Sequence, residues 1–169
     1  MLKKLLWLAL LVSPLLCLAQ SVSFVPAYPA DRVEGLAKAI AHAEGFYQRG
    51  TIPARYHNPG DIKAVPGVKY PGQVRIGKGQ HIVFRTDADG WAALRHQIDV
   101  ILRGQSAHYT LDMTLNQVSR RYAANWRNWA RYVGHVLGVP PSTTLRDYLC
   151  GGEIPTAIVQ NSITLTLGD

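Results

Sequence analysis

Cysteine is nearly missing from this chain, which has two in 169 residues. Cys17 falls in a segment expected to be removed, so an intrachain disulfide is excluded. Cys150 is then read as a small apolar filler near the end of a helix. Charge is sparse too: 17% of residues are charged against 47% hydrophobic. That balance excludes a disordered chain and leaves enough apolar surface for one core. After Ala19 no apolar run approaches the roughly 18 residues that a membrane-crossing helix needs. The six histidines (His42, His57, His81, His96, His108, His135) form no His-x-x-x-His or Glu-containing metal pattern. Neither a serine nucleophile elbow nor a phosphate-cradling glycine loop is present, and no cofactor is expected. Lysine and arginine form no run along the chain, and no motif points to nucleic acid.

What is present begins with an export signal. Met1-Leu2-Lys3-Lys4 is a short cationic start, and Leu5 to Leu16 is almost unbroken apolar sequence. Cys17-Leu18-Ala19 then places small residues three and one before Gln20. This order is that of a secretory signal peptide over 1–19, with cleavage near Ala19 and a periplasmic or secreted product. The rival is an uncleaved anchor in the inner membrane. Lipidation at Cys17 is disfavoured by the bulk of Leu16. Loss of Lys3 and Lys4 takes the formal net charge from +7 to +5, which suits an anionic polymer such as the bacterial wall.

The length fits one domain. Residues 20–30 read as an extended lead-in, and Asp31 as the cap of a first helix. Val33, Leu36, Ala37 and Ile40 follow helical spacing on one face. At 100° per residue Glu44 returns to that face, one turn beyond Ile40, and Gly45 ends the pattern. Between Gly50 and Arg85 proline and glycine recur and no helical stripe survives. Val74, Ile76, Ile82 and Phe84 alternate on either side of Gly77-Lys78-Gly79, which predicts a hairpin. Thr86 with Asp89, and Thr114 with Gln117, are capping boxes that open two more helices. The first of these carries Trp91, Leu94, Ile98, Ile101 and Leu102. The second carries Leu115, Val118 and Tyr122. A fourth helix runs through Trp126, Trp129 and Val133 to Gly138, and a short fifth follows Ser142 or Thr143. Ser162 to Leu167 alternates as a possible strand in a tail over 151–169. The fold class is α+β, mainly α, with a small β region after the first helix.

A carboxylate closing an apolar stripe is half-buried, and desolvation raises its pKa toward neutrality. A glycosidase general acid needs that property. The competing reading turns Glu44 to solvent or pairs it with Arg49 or Arg55. The turn Asn58-Pro59-Gly60 then offers Asn58 and backbone amides to a sugar. His57 is a further candidate contact. Tyr122 is either core or cleft. Trp126 and Trp129, three apart, are read as sharing a packing face.

These residues resemble a known family. Glu44-Gly45-Phe46, Asn58-Pro59-Gly60-Asp61-Ile62 and Thr86-Asp87-Ala88-Asp89-Gly90-Trp91 are similar, in order, to lysozyme-like domains of phage and bacterial wall lysins. Tyr109-Thr110-Leu111, Arg121-Tyr122-Ala123 and Val136-Leu137-Gly138-Val139 extend the likeness over roughly residues 33–149. Goose-type lysozymes and lytic transglycosylases share that fold. The resemblance implies a lysozyme-like domain over 31–150 that cleaves the glycan of peptidoglycan with Glu44 as general acid. It implies that Asn58, Gly60 and Tyr122 line the cleft, with the Asp-Gly-Trp segment supporting the fold beneath. Two departures stand out: His57 and Asp61 occupy positions where many relatives carry Asn, and the Gly-Leu-Met-Gln segment of soluble lytic transglycosylases is missing.

A hydrolytic muramidase needs a second carboxylate roughly 6.5–9.5 Å away, for which Asp61 and Asp87 are candidates. A lytic transglycosylase needs one acid/base, and the sequence leans narrowly that way. A third reading is a non-catalytic peptidoglycan-binding accessory of an envelope-spanning or phage-related machine. A monomer is expected.

Overall fold

The computed structural model describes residues 30–151. The expected signal peptide, the lead-in up to residue 29 and the possible strand at 162–167 lie outside the described residues. The described order is α1 (Ala30–Ala43), α2 (Ile52–Arg55), β1 (Gln73–Ile76), β2 (Ile82–Phe84), α3 (Asp87–Leu102), α4 (Leu115–Tyr122), α5 (Trp126–Leu137) and α6 (Leu145–Leu149). The chain is therefore α+β and mainly helical, with a two-stranded antiparallel sheet. Among the described residues no helix is long and apolar enough to cross a membrane.

Helix α1 is the central element because its buried face is continuous: Leu36, Ala37, Ala39, Ile40 and Ala41 are all enclosed. The alanines let α5 and α3 approach closely, and α6 closes one end. Two boundaries differ from expectation. Ala30 belongs to α1 rather than to the lead-in, and Asp31 sits in the first turn instead of capping it. There its carboxylate still favours the helix dipole. Helix α2 is a second difference, since the sequence between Gly50 and Arg85 promised no helix. Thr51 caps it through Ala54 N–H, and proline fits its first turn. One turn is too short to leave an apolar stripe.

The hairpin forms as expected, with Ile76 opposite Ile82 and Gln73 opposite Phe84, and a bulge between Gln73 and Arg75. All of β2 is buried, because the chain before it covers its second edge. Ile82 N–H donates to Ile62 O and Phe84 N–H to Tyr56 O. Both capping boxes are formed, at Thr86/Asp89 and Thr114/Gln117. Helix α5 ends at left-handed Gly138, and α6 starts one residue later than expected, at a Thr144 cap. Cys150 is exposed and free just past α6, so it fills no gap in the core. Trp126 and Trp129 do not share a packing face: Trp129 is 6% exposed, whereas Trp126, which opens α5, lies between Arg120 and Arg127. Positions three apart are neighbours along a helix, but Trp126 is the first residue of α5, where its ring meets the two arginines and not the core.

Gly90 sets how closely α3 meets the loop before the hairpin. A Cβ there would lie 1.8 Å from the His57 carbonyl oxygen, which no side chain tolerates. An apolar cavity of about 40 Å³ runs among α1, α3 and α4, and Tyr122 and Trp129 are part of its wall.

Candidate active site

The end of α1 places Glu44. Gly45 adopts φ +75°, a left-handed conformation that glycine enters without strain. Gly45 N–H then donates to His42 O at 3.1 Å and Phe46 N–H to Ala41 O at 2.9 Å. This double closure is a Schellman motif, and it fixes Glu44 as the last helical turn's outermost side chain. Its own N–H still donates to Ile40 O at 2.9 Å, so the side chain continues the buried stripe.

Trp129 of α5 meets it there. The indole Nε1–H donates to Glu44 Oε1 at 2.6 Å. Among the described residues Oε2 has no hydrogen-bond partner, and it is not enclosed either. One oxygen is thus held by the protein and the other is open to whatever occupies the site. Burial pushes the carboxyl up to about 7, against the Trp129 hydrogen bond, which favours the anion. The nearby Asp61 charge raises it further, and the Lys63 ammonium opposes. A carboxyl poised there holds its proton near neutral pH and can both give and retake it.

Replacing Trp129 with phenylalanine removes the donor and keeps most of the packing. The anion then loses its hydrogen bond, so the Glu44 pKa is expected to rise beyond about 7. A carboxyl-carbon NMR titration checks this, and a downward shift contradicts the assigned role.

Asp61 stands opposite in an unusual state. Its backbone is left-handed, φ +46°, as aspartate tolerates in a turn. Its Oδ1 is buried without a hydrogen bond, although His81 Nδ1 lies 2.8 Å away. The same ring nitrogen is 3.3 Å from the Asp61 carbonyl oxygen, so the imidazole divides itself between the two. Burial raises the Asp61 pKa, and His81 and Lys63 oppose this. Asp61 and Lys63 therefore both act on Glu44, and His81 joins them through its pairing with Asp61.

Tyr122 closes the site from the end of α4. Its hydroxyl donates to Gly60 O, and its ring lies tilted against those of Trp129 and Tyr109, with centroids 5.1 Å and 6.5 Å away. The residue as a whole is half-buried, and its phenol group is enclosed. That enclosure, with the Glu44 charge beside it, holds the phenol pKa well above its usual value, so it stays a donor.

The remaining expected site residues fall elsewhere. Asn58 is fully buried. Its Nδ2 donates to Ile62 O and Ile82 O, each at 2.9 Å, and its Oδ1 accepts from Ile62 N–H at 2.8 Å. Both amide hydrogens are used, so Asn58 braces the loop against β2 and does not contact a sugar. Gly60 is buried as well, with its carbonyl occupied by Tyr122; it supports the site from behind and does not line an open cleft. His57, at φ +52°, pairs through Nδ1 with Asp87 Oδ1 at 2.6 Å. Asp87 is exposed at the first turn of α3 and is not among the charges that act on Glu44. Of the two candidate second carboxylates, only Asp61 joins the acid.

Sequence reasoning missed three contributors. Trp129 was expected only to pack, and it also orients the acid from 85 positions away. His81 was read as surface or satisfied core, and Lys63 was assigned no role. Only the spacing of Lys63, two residues after Asp61, carried any local signal.

The fold and site together define a mainly helical domain carrying a half-buried carboxyl whose pKa is raised. Comparison of the chain with protein-family models, with curated proteins and with solved structures gives no match.

Proposed function

We propose that the protein has a lysozyme-like fold and cleaves the β-1,4 bond between N-acetylmuramic acid and N-acetylglucosamine in peptidoglycan, acting as a lytic transglycosylase. The observation that carries this reading is the Glu44 carboxyl, raised to about 7, with Oε1 held by Trp129 and Oε2 open. The order of elements supports it: an acid at the end of the first long helix, a small hairpin next, then helices that back the acid. Export to the periplasm or cell exterior, with the wall as target, belongs to the same reading.

In the reaction, neutral Glu44 gives its proton from Oε2 to the glycosidic oxygen as the C1–O bond breaks. The N-acetylglucosamine end leaves as an alcohol, and positive charge develops on the muramic acid ring. The Glu44 carboxylate then accepts the proton of the sugar's 6-hydroxyl while that oxygen bonds to C1. A 1,6-anhydro ring closes, and Glu44 is neutral again. A pKa near the working pH serves both halves of the cycle.

A hydrolytic muramidase is the second reading, and the position of Asp61 favours it specifically. Its second oxygen has no hydrogen-bond partner among the described residues and is free to take a proton from water. Digestion of purified peptidoglycan separates the two by the mass of the released muropeptides. Anhydro ends are expected, with Asp61→Asn retaining at least about a tenth of the activity. Reducing ends, with Asp61→Asn falling by about 10²-fold or more, establish hydrolysis instead. No released product removes the enzyme reading.

A further inference from the structure

His81 leaves the Gly77-Lys78-Gly79 turn with its backbone already tied. Its carbonyl accepts from Gly77 N–H at 2.7 Å, and its N–H donates to Lys78 O at 3.4 Å. The segment after Asp61 then pairs along the second edge of β2. Ala64 N–H donates to Gln80 O at 2.8 Å and Ile82 N–H to Ile62 O at 2.9 Å, with Lys63 opposite His81. Residues opposite one another in an antiparallel pair send their side chains to the same face. Gly79, at φ +68°, leaves the imidazole its place, since a Cβ there would lie 2.9 Å from His81 Cδ2. The ring is thereby held against Asp61, and its side chain is only 12% exposed.

His81 Nδ1 lies 2.8 Å from Asp61 Oδ1 and 3.3 Å from the Asp61 carbonyl oxygen. Both neighbours are acceptors, so Nδ1 is the nitrogen that carries hydrogen. No other donor reaches Oδ1, which is closed to solvent. An enclosed carboxylate oxygen without such a neighbour is costly to charge. The other oxygen, Oδ2, is neither enclosed nor hydrogen-bonded among the described residues. The groups that face this carboxyl electrostatically are His81, Lys63, Glu44 and the Tyr122 phenol. Of these, His81 is the one in direct contact.

We propose that His81 is a positioning residue: it anchors Asp61 by Oδ1, so that the carboxylate stays charged and offers Oδ2, near Glu44, to the sugar ring that becomes positive as the glycosidic bond breaks. This rests on the peptidoglycan reading of the acid. It serves either outcome of the reaction. In ring closure the Asp61 charge steadies the cationic sugar, and in hydrolysis the free Oδ2 takes a proton from water. His81 acts through Asp61 in both.

The test compares the wild-type chain with His81→Leu, His81→Asn, Asp61→Asn and the His81→Leu/Asp61→Asn double variant. Leucine removes the donor, whereas asparagine keeps an N–H close to the position of Nδ1. Carboxyl-carbon NMR follows the titration of Asp61. Its midpoint is expected to rise in His81→Leu, because burial is then less opposed, and to rise less in His81→Asn. If the leucine variant fails to fold, the asparagine variant is judged by the same criterion. An Asp61 midpoint that does not move overturns the assignment.

Wall digestion supplies the second readout. A neutral Asp61 is lost to the reaction, so His81→Leu is expected to cost about fivefold near pH 5, and less as pH rises. In the Asp61→Asn background it is expected to cost less than about twofold. A loss that is equal at every pH, or that persists without the Asp61 carboxylate, marks a merely structural histidine and overturns the assignment. An unmoved midpoint with an active wild type brings down this inference alone. A wild type that releases nothing from the wall brings down the peptidoglycan reading, and this inference with it.

Discussion

Glu44→Gln is expected to lower the release of soluble wall fragments by about 10²–10⁴-fold while the protein becomes more stable at alkaline pH. Both effects have one source. Glutamine keeps the oxygen that accepts from Trp129 and removes the proton that does the chemistry. The wild-type carboxyl titrates near 4.5 when unfolded and at about 7 when folded. Between those values the folded state binds the proton more tightly, so stability falls as pH rises from about 4.5 to about 7. Below that window both states are protonated and the group contributes nothing. Above it the charged, half-buried carboxylate opposes folding by about 3 kcal/mol at most. Glutamine avoids that opposition. Urea midpoints at pH 4 and pH 8 read it directly: the two proteins should coincide at the lower pH and separate at the higher, with the variant above. Coincidence at pH 8 means that the side chain is well solvated, and the proton-donor argument then fails whatever the activity shows.

Asn58→Ala is expected to destabilise the fold by about 3 kcal/mol through polar groups left behind in the interior. Ile62 N–H loses its acceptor, and Ile62 O and Ile82 O each lose a donor in a place closed to water. Ile62 O keeps the Ile82 N–H, so the orphaned amide and the Ile82 carbonyl carry most of the effect. Asn58→Asp tests the same point differently. It preserves the acceptor for Ile62 N–H but turns an oxygen toward two carbonyls, so it too should unfold at lower temperature, increasingly as pH rises. A sugar-contacting asparagine predicts the opposite pattern, a raised KM with an unchanged melting temperature. Thermal melts alongside wall-digestion kinetics tell the two apart.

The difference between Glu44 and Asn58 shows how far a sequence reaches. Glu44 was legible because its environment is made locally. Helical spacing puts it on the face of Leu36 and Ile40, and Gly45 stops the helix behind it. Asn58 was misread because an Asn-Pro-Gly turn looks the same whether its side chain faces outward or inward. The deciding partner, Ile82 O, lies 24 positions away on a strand. Asp87 and Asp61 divide for a similar reason. Each is an ordinary aspartate in its own segment, and only tertiary packing brings Asp61 and Lys63 near the acid, with His81 held on Asp61.

By itself the sequence determined the helices that carry their own signals: the capping boxes at Thr86 and Thr114, the glycine stops at Gly45 and Gly138, and the hairpin around Gly77-Lys78-Gly79. These depend on backbone chemistry within a few residues, which the order of amino acids states outright. Tertiary structure alone decided that Trp129 holds the acid, that Asn58 serves the scaffold, and that Arg120 and Arg127 meet on one indole. Such outcomes depend on which distant groups arrive together and how much water they exclude. No local pattern encodes that, because desolvation and hydrogen-bond partnership belong to the assembled pair and not to either residue.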